Sequence, residues 1–185
     1  QVESIGFWIN TALHENDTNG QRIRIEGMEL FHYFSGKRPA YFAMMFAKKL
    51  NGTIISQGSD YVMTQNERGY HLILMNCNSV NPYYSIEESF LQKLNKDILV
   101  KIKGLDVGEY QVRKYTFDRD HGALYTNWLS LNSKHGLDIE IINYINKSNH
   151  PKLEIFDETI TSEWSFYSYL TINAIHFFDI RKAVN

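Results

Sequence analysis

The sequence predicts a mainly β protein with a few helices, its strands laid antiparallel in a sandwich. Three observations predict it. Stretches 98–103, 153–160, 164–170 and 174–180 carry apolar alternation, the mark of strands buried on one face. From Thr53 onward, short apolar runs are separated by turn-forming clusters at 58–60 and 66–69. Helical spacing is confined to short stretches, chiefly 41–50 and 137–145.

In chain order, residues 2–9 (VESIGFWI) are apolar at nearly every position after Glu3, as in a strand covered on both sides. Residues 10–20 are rich in Asn, Asp and Gly and read as loop. Ile23 and Ile25 fit a short strand, with turns at Gly27 and Gly36. Pro39 suits the first turn of a helix, where its missing N–H costs nothing. Phe42, Met45, Phe46 and Leu50 then form a core-facing stripe, and Asn51–Gly52 ends it.

Strands follow at Ile54–Ile55, Tyr61–Met63 and Tyr70–Cys77. Asn66–Gly69 is a hairpin turn. Ser85, with Glu88 three residues later, has capping-box form before a short helix or ordered loop over 86–94. Ile98, Val100 and Ile102 face inward while Lys101 and Lys103 face out. On the next strand Tyr110 and Val112 have one parity, Tyr115 and Phe117 the other. A bulge at Arg113–Lys114 would put all four on one face. Leu137, Ile141, Ile142 and Ile145 repeat as an amphipathic helix, and Pro151 follows its end.

Bulk properties exclude several classes. The 185 residues allow one ordinary domain or a little more, and 43% hydrophobic content supplies a sizeable core. A net charge of −2 with dispersed Lys and Arg gives no field favouring nucleic acid. The single cysteine, Cys77, excludes an intrachain disulfide framework, and its apolar neighbours predict a small buried hydrophobe. No apolar run is long enough to span a membrane, and the N-terminus lacks signal-peptide order. The chain opens in mid-strand, as a piece of something longer would. VESIGFWI, left alone, would be an orphan strand with a sticky edge, through which the chain would self-associate.

Motif chemistry is sparse. His14–Glu15 begins like a zinc-protease helix, but Thr18 stands where the second His belongs. No Gly-x-Ser-x-Gly elbow and no Gly-rich phosphate loop occurs. Asp118, Asp120 and His121 could reach a cation, but turn-making explains the same residues. Glycoside hydrolysis needs two carboxyls about 5 to 10 Å apart. Glu15 and Glu26 are candidates that sequence cannot pair. No cofactor and no metal is expected.

Three separated motifs resemble glycoside hydrolase family 39, the β-xylosidase and α-iduronidase family. Tyr115, Phe117, Asp118, His121, Gly122 and Trp128 match its Tyr-x-(Leu/Phe)-(Asp/Asn)…His-Gly…Trp pattern. Residues 38–43 (RPAYFA) resemble the opening of its last barrel helix, and Phe7, Trp8, Thr11 and Glu15 its eighth-strand rim. The resemblance implies that residues 1–52 are the last βα unit of a (β/α)8 barrel and 53–185 a β-sandwich domain.

The family's two catalytic Glu belong to the fourth and seventh barrel strands, neither of which is in this chain. At the rim, Ala12, His14 and Asn16 replace the family's Asp, Phe and Glu, so the sugar site looks eroded. Trp8, His14 and Glu15 remain as a vestigial sugar-binding set. Such a worn module resembles the C-terminal region of AraC-type transcription regulators of low-GC Gram-positive bacteria. That implies a cytoplasmic, non-catalytic sensing or interaction element for a sugar or small molecule, with DNA bound only by a domain outside this chain. The alternative is the C-terminal domain of a β-xylosidase-like enzyme.

Overall fold

A computed structural model describes residues 30–31, 35–81, 87–131 and 138–183. Helix α1 (Pro39–Lys49) begins with Pro39 in its first turn, as expected, and carries Lys48 and Lys49 in its last, where cations suit the dipole. At Gly52 the backbone turns to φ +97, and a Cβ there would lie 2.1 Å from the Gln65 carbonyl oxygen. Only glycine fits this corner.

Strands β1 (Thr53–Gln57), β2 (Tyr61–Asn66) and β3 (Gly69–Met75) form an antiparallel meander. After it come α2 (Glu88–Gln92), β4 (Lys96–Lys103), β5 (Gly108–Phe117), α3 (Tyr125–Leu131) and α4 (Ile139–Ser148). Strands β6 (Lys152–Ile160), β7 (Glu163–Leu170) and β8 (Ile175–Lys182) close the order. Six strands make one sheet in the order β1-β2-β3-β8-β5-β6, and β4 with β7 makes a second of two. Every strand pair is antiparallel.

The large sheet is a middle layer. Tyr70, Leu72 and Leu74 of β3, Tyr110 and Val112 of β5, and Phe178 and Ile180 of β8 face the small sheet. There they meet Ile98, Val100 and Ile102 of β4 and Trp164, Phe166 and Leu170 of β7. The opposite parity, Ile73, Phe117 and Phe177, faces Phe42 and Phe46 of α1. Each fully buried side chain of this size contributes roughly 1.5–3 kcal/mol.

Three expectations need correction. No bulge occurs at Arg113–Lys114: β5 pairs in unbroken register with β6 and β8 through both residues. The two parities of its apolar residues serve two different cores, so no extra residue is needed. The register break falls instead between Ile54 and Ser56 of β1. Cys77 is exposed, because β3 ends at Met75 and the chain leaves the sheet. Helix α2 begins later than the capping-box form suggests: Glu87 is its N-cap, with no side-chain cap, and Ser85 lies outside the described residues. The capped helix is α4, where the Asp138 carboxylate accepts from the N–H groups of Glu140 and Ile141. The VESIGFWI strand and the strand at Ile23–Ile25 lie outside the described residues.

Candidate functional site

The expected sugar-rim residues Trp8, His14 and Glu15 lie outside the described residues, as does Glu26. The motif at the end of β5 lies within them. Tyr115 packs on Phe46 and Phe177 at ring distances of 6.2 and 6.0 Å, with the Lys49 ammonium 5.0 Å above its ring. Phe117 sits 5.2 Å from Phe42. Asp118 then turns the chain: one carboxylate oxygen accepts from the backbone N–H of Asp120 and His121, and His121 Nδ1 lies 2.8 Å from the same oxygen.

The Asn149 side chain, buried at the end of α4, donates to the Gly122 carbonyl. Thr126 of α3 donates to the Arg119 carbonyl, and Arg119 pairs with Glu88 at 2.6 Å. The stretch is therefore a brace joining the sheet to α1, α2, α3 and α4. Its Asp and His are occupied in making a turn.

A polar cluster lies on the α1 side of the large sheet. Arg181 grips Asp179 through two nitrogens at 2.8–3.0 Å, which raises the guanidinium pKa. His71, opposite Asp179 in the β3–β8 ladder, has Nε2 3.7 Å from that carboxylate. Burial pushes the His71 pKa down and outweighs the attraction of Asp179. Beside the cluster, a crevice of about 60 Å³ is lined by Asn51, Asn66 and Arg68, room for water but not for a sugar.

Inside the sandwich, Ser168 Oγ and His176 Nδ1 sit 2.8 Å apart, both almost fully buried. Desolvation lowers the His176 pKa to about 4. A serine–histidine pair sealed from solvent has no route to substrate, so it is a satisfied core pair. Sequence reasoning missed it, as it missed Asn76, whose side-chain nitrogen lies 2.8–3.2 Å from the carbonyls of Leu94, Leu170 and Thr171. The signal was available: Ser168 and His176 share inward parity with Leu170 and Phe178.

A groove of about 690 Å³ lies between the β1–β2 end of the large sheet and β4. Met63, Leu72 and Leu74 line it, with Ile55 and Tyr61 on one side and β4 on the other. Among the described residues lining it, Asp106 is the one carboxylate. Acid–base cleavage of a glycoside needs two.

No protein-family model matches the sequence. Among solved structures, a GH39 enzyme of Xanthomonas axonopodis pv. citri superposes with a TM-score of 0.73 over 98% of this chain and 38% of that enzyme, at 11% identity. A monomeric β-xylosidase of Caulobacter crescentus CB15 gives 0.68 over 85% of this chain and 33% of its own, also at 11% identity. The fold is that of glycoside hydrolase family 39 enzymes.

At such low identity these enzymes establish architecture alone for the GH39-like chain. In sequence it is similar to uncharacterized HTH-type transcriptional regulators of Staphylococcus aureus. That of strain COL is 30% identical over 182 residues, 98% of this chain and 24% of the regulator. That of strain MRSA252 is 29% identical over the same length. The chain thus spans about a quarter of the length of the curated relatives it matches.

Proposed function

We propose that the chain is a non-catalytic GH39-like module at the C-terminus of an AraC-type transcription regulator, acting in ligand sensing or protein interaction. One observation carries the reading: a glycosidase-type fold in a sequence 30% identical, along 98% of its length, to part of HTH-type regulators. Residues 1–52 would be the last βα unit of a barrel and 53–185 the sandwich, divided at the Gly52 corner. DNA would be bound by a domain outside this chain, in the cytoplasm. Trp8, His14 and Glu15 would form a worn sugar rim. VESIGFWI would self-associate only where its barrel neighbours are missing.

The likeness to β-xylosidases favours one competing reading, the C-terminal domain of a working glycosidase with both catalytic Glu upstream. Hydrolysis of a chromogenic xyloside by the full-length protein separates the two. No turnover above buffer is expected, and sustained turnover would overturn the regulator reading. Sugar binding read by Trp8 fluorescence, lost in Trp8→Ala, is the matching test of the rim.

A further inference from the structure

The crevice beside the His71–Asp179–Arg181 cluster is unbalanced in its hydrogen bonding. Three parts of the chain meet there: Asn51 from the corner after α1, Asn66 and Arg68 from the β2–β3 hairpin, and His71, Asp179 and Arg181 from the β3–β8 ladder. Gly69 brings the hairpin close to β8. Its φ is +139, and a Cβ there would lie 2.1 Å from the Ile180 carbonyl oxygen.

The side-chain oxygens of these residues all have donors already. Both Asp179 oxygens accept from Arg181, the Asn66 oxygen from the Arg68 backbone N–H, and the Asn51 oxygen from the Asn66 amide. The donors are not used up. Among the described residues the Arg68 guanidinium, Arg181 Nη1 and the Asn51 side-chain nitrogen make no hydrogen bond. His71 completes the set. Its side chain is 10% exposed, and its Nδ1 is buried without a well-formed hydrogen bond, although the Asn51 backbone lies near it.

Formal charge points the same way. Arg68 and Arg181 against Asp179 leave the crevice positive, and Lys49 adds its charge from α1. Spare donors with excess positive charge select an anion that offers several oxygens. We propose that the crevice binds a phosphate group, free or as the end of a phosphomonoester, through Arg68, Arg181, Asn51 and His71. The donors converge from three directions, which suits a tetrahedral oxyanion better than a planar carboxylate. The 60 Å³ is the share of roughly two waters in the liquid, enough for a phosphoryl group while the rest of a ligand stays outside. A cation would meet two guanidinium groups and no unshared carboxylate. The site uses none of Trp8, His14 and Glu15. It goes beyond the regulator reading and stands whether or not the protein binds DNA or a neutral sugar.

An anion beside His71 favours its protonated form, as Asp179 already does, against burial, Arg181 and Lys49. The test therefore reads the His71 titration midpoint in the full-length protein, from exchange of its ring Cε1–H followed by mass spectrometry. Inorganic phosphate and methyl phosphate are each titrated against sodium chloride of matched ionic strength. At least one of the two should raise the midpoint saturably, by about one unit, and chloride should not. Saturation by inorganic phosphate alone marks a site for the free anion, and saturation by the ester marks one for a phosphorylated ligand. A midpoint that follows ionic strength alike in all three salts overturns the proposal.

Two variants locate the effect. Arg68→Gln removes an exposed guanidinium without touching either core, and should weaken phosphate about 10- to 100-fold at an unchanged urea midpoint. Asn51→Asp keeps an oxygen to accept from Asn66 but replaces a spare donor with negative charge, so it too should weaken binding. Unchanged phosphate affinity in both variants overturns the proposal as well.

Discussion

The two faces of the six-stranded sheet solve the same burial problem differently. Toward the small sheet, aromatic and aliphatic residues from seven strands interdigitate, with Trp164 and Phe166 at 4.5 Å and Phe166 and Phe178 at 5.0 Å. Toward α1, a shorter apolar patch centred on the stacked pair Phe46–Phe177, 5.6 Å apart, gives way to the His71–Asp179–Arg181 cluster. The first face is held by two sheets whose ladders resist collapse. Among the described residues the second is covered by helix α1.

The largest expected effect comes from cutting an aromatic out of each core. Phe178→Ala and Phe46→Ala should each cost about 3–5 kcal/mol, and Phe178 should lie at the upper end. Its surroundings are strands that cannot move in, whereas α1 can settle toward the sheet. Urea unfolding of both variants measures this. Equal midpoints would remove the contrast, and the greater loss at Phe46 would show the helix face to be the stiffer one.

Acid should separate the faces next. His176 is held neutral by burial, with its pKa lowered from 6.5 to about 4. A depressed folded pKa means that the native state resists a proton which the unfolded chain accepts. Stability is therefore complete above pH 6.5 and falls progressively from there toward pH 4. The integrated loss is about 3 kcal/mol. Replacing His176 by Gln should flatten that part of the pH–stability curve. Ser168→Ala removes the ring's hydrogen-bond partner and should cost about 1–3 kcal/mol at pH 7. An unchanged slope in His176→Gln would place the acid sensitivity among carboxylates instead.

The same contrast explains what the sequence could and could not convey. Strands β6 and β7 and the inward side of β4 were legible, because alternation alone specifies a strand with one buried face; β8 was located too, although both of its faces are buried. Helix α1 was legible from Pro39 and the Phe42–Phe46 stripe. β5 was misjudged for a physical reason. Tyr110 and Val112 belong to one core and Tyr115 and Phe117 to the other, and a linear string does not reveal that a sheet is covered twice.

Cys77 misled in the opposite direction, since apolar neighbours do not mark the residue at which a strand leaves its sheet. The sugar rim was reached through resemblance at Trp8, His14 and Glu15, residues outside those described. The groove was not legible at all. It arises from the unequal widths of two sheets, a property of topology rather than of any motif.

The smallest effect tests the polar end of the α1 face. Asp179 is buried, but Arg181, which holds it, is 40% exposed at the side chain, so water shares in solvating the pair. Asp179→Asn should therefore cost only about 1–2 kcal/mol, below the penalty for breaking a fully buried ion pair. The sharper readout is His71. Asp179 is the charge that favours its protonated form, opposing burial and the nearby Arg181 and Lys49. With that carboxylate gone, the remaining influences mostly act in one direction. The His71 titration midpoint, followed by its ring proton resonances, should drop further below 6.5. A midpoint that does not move would mean that the two groups do not interact across the 3.7 Å separating them, and that the cluster is two independent contacts rather than one network.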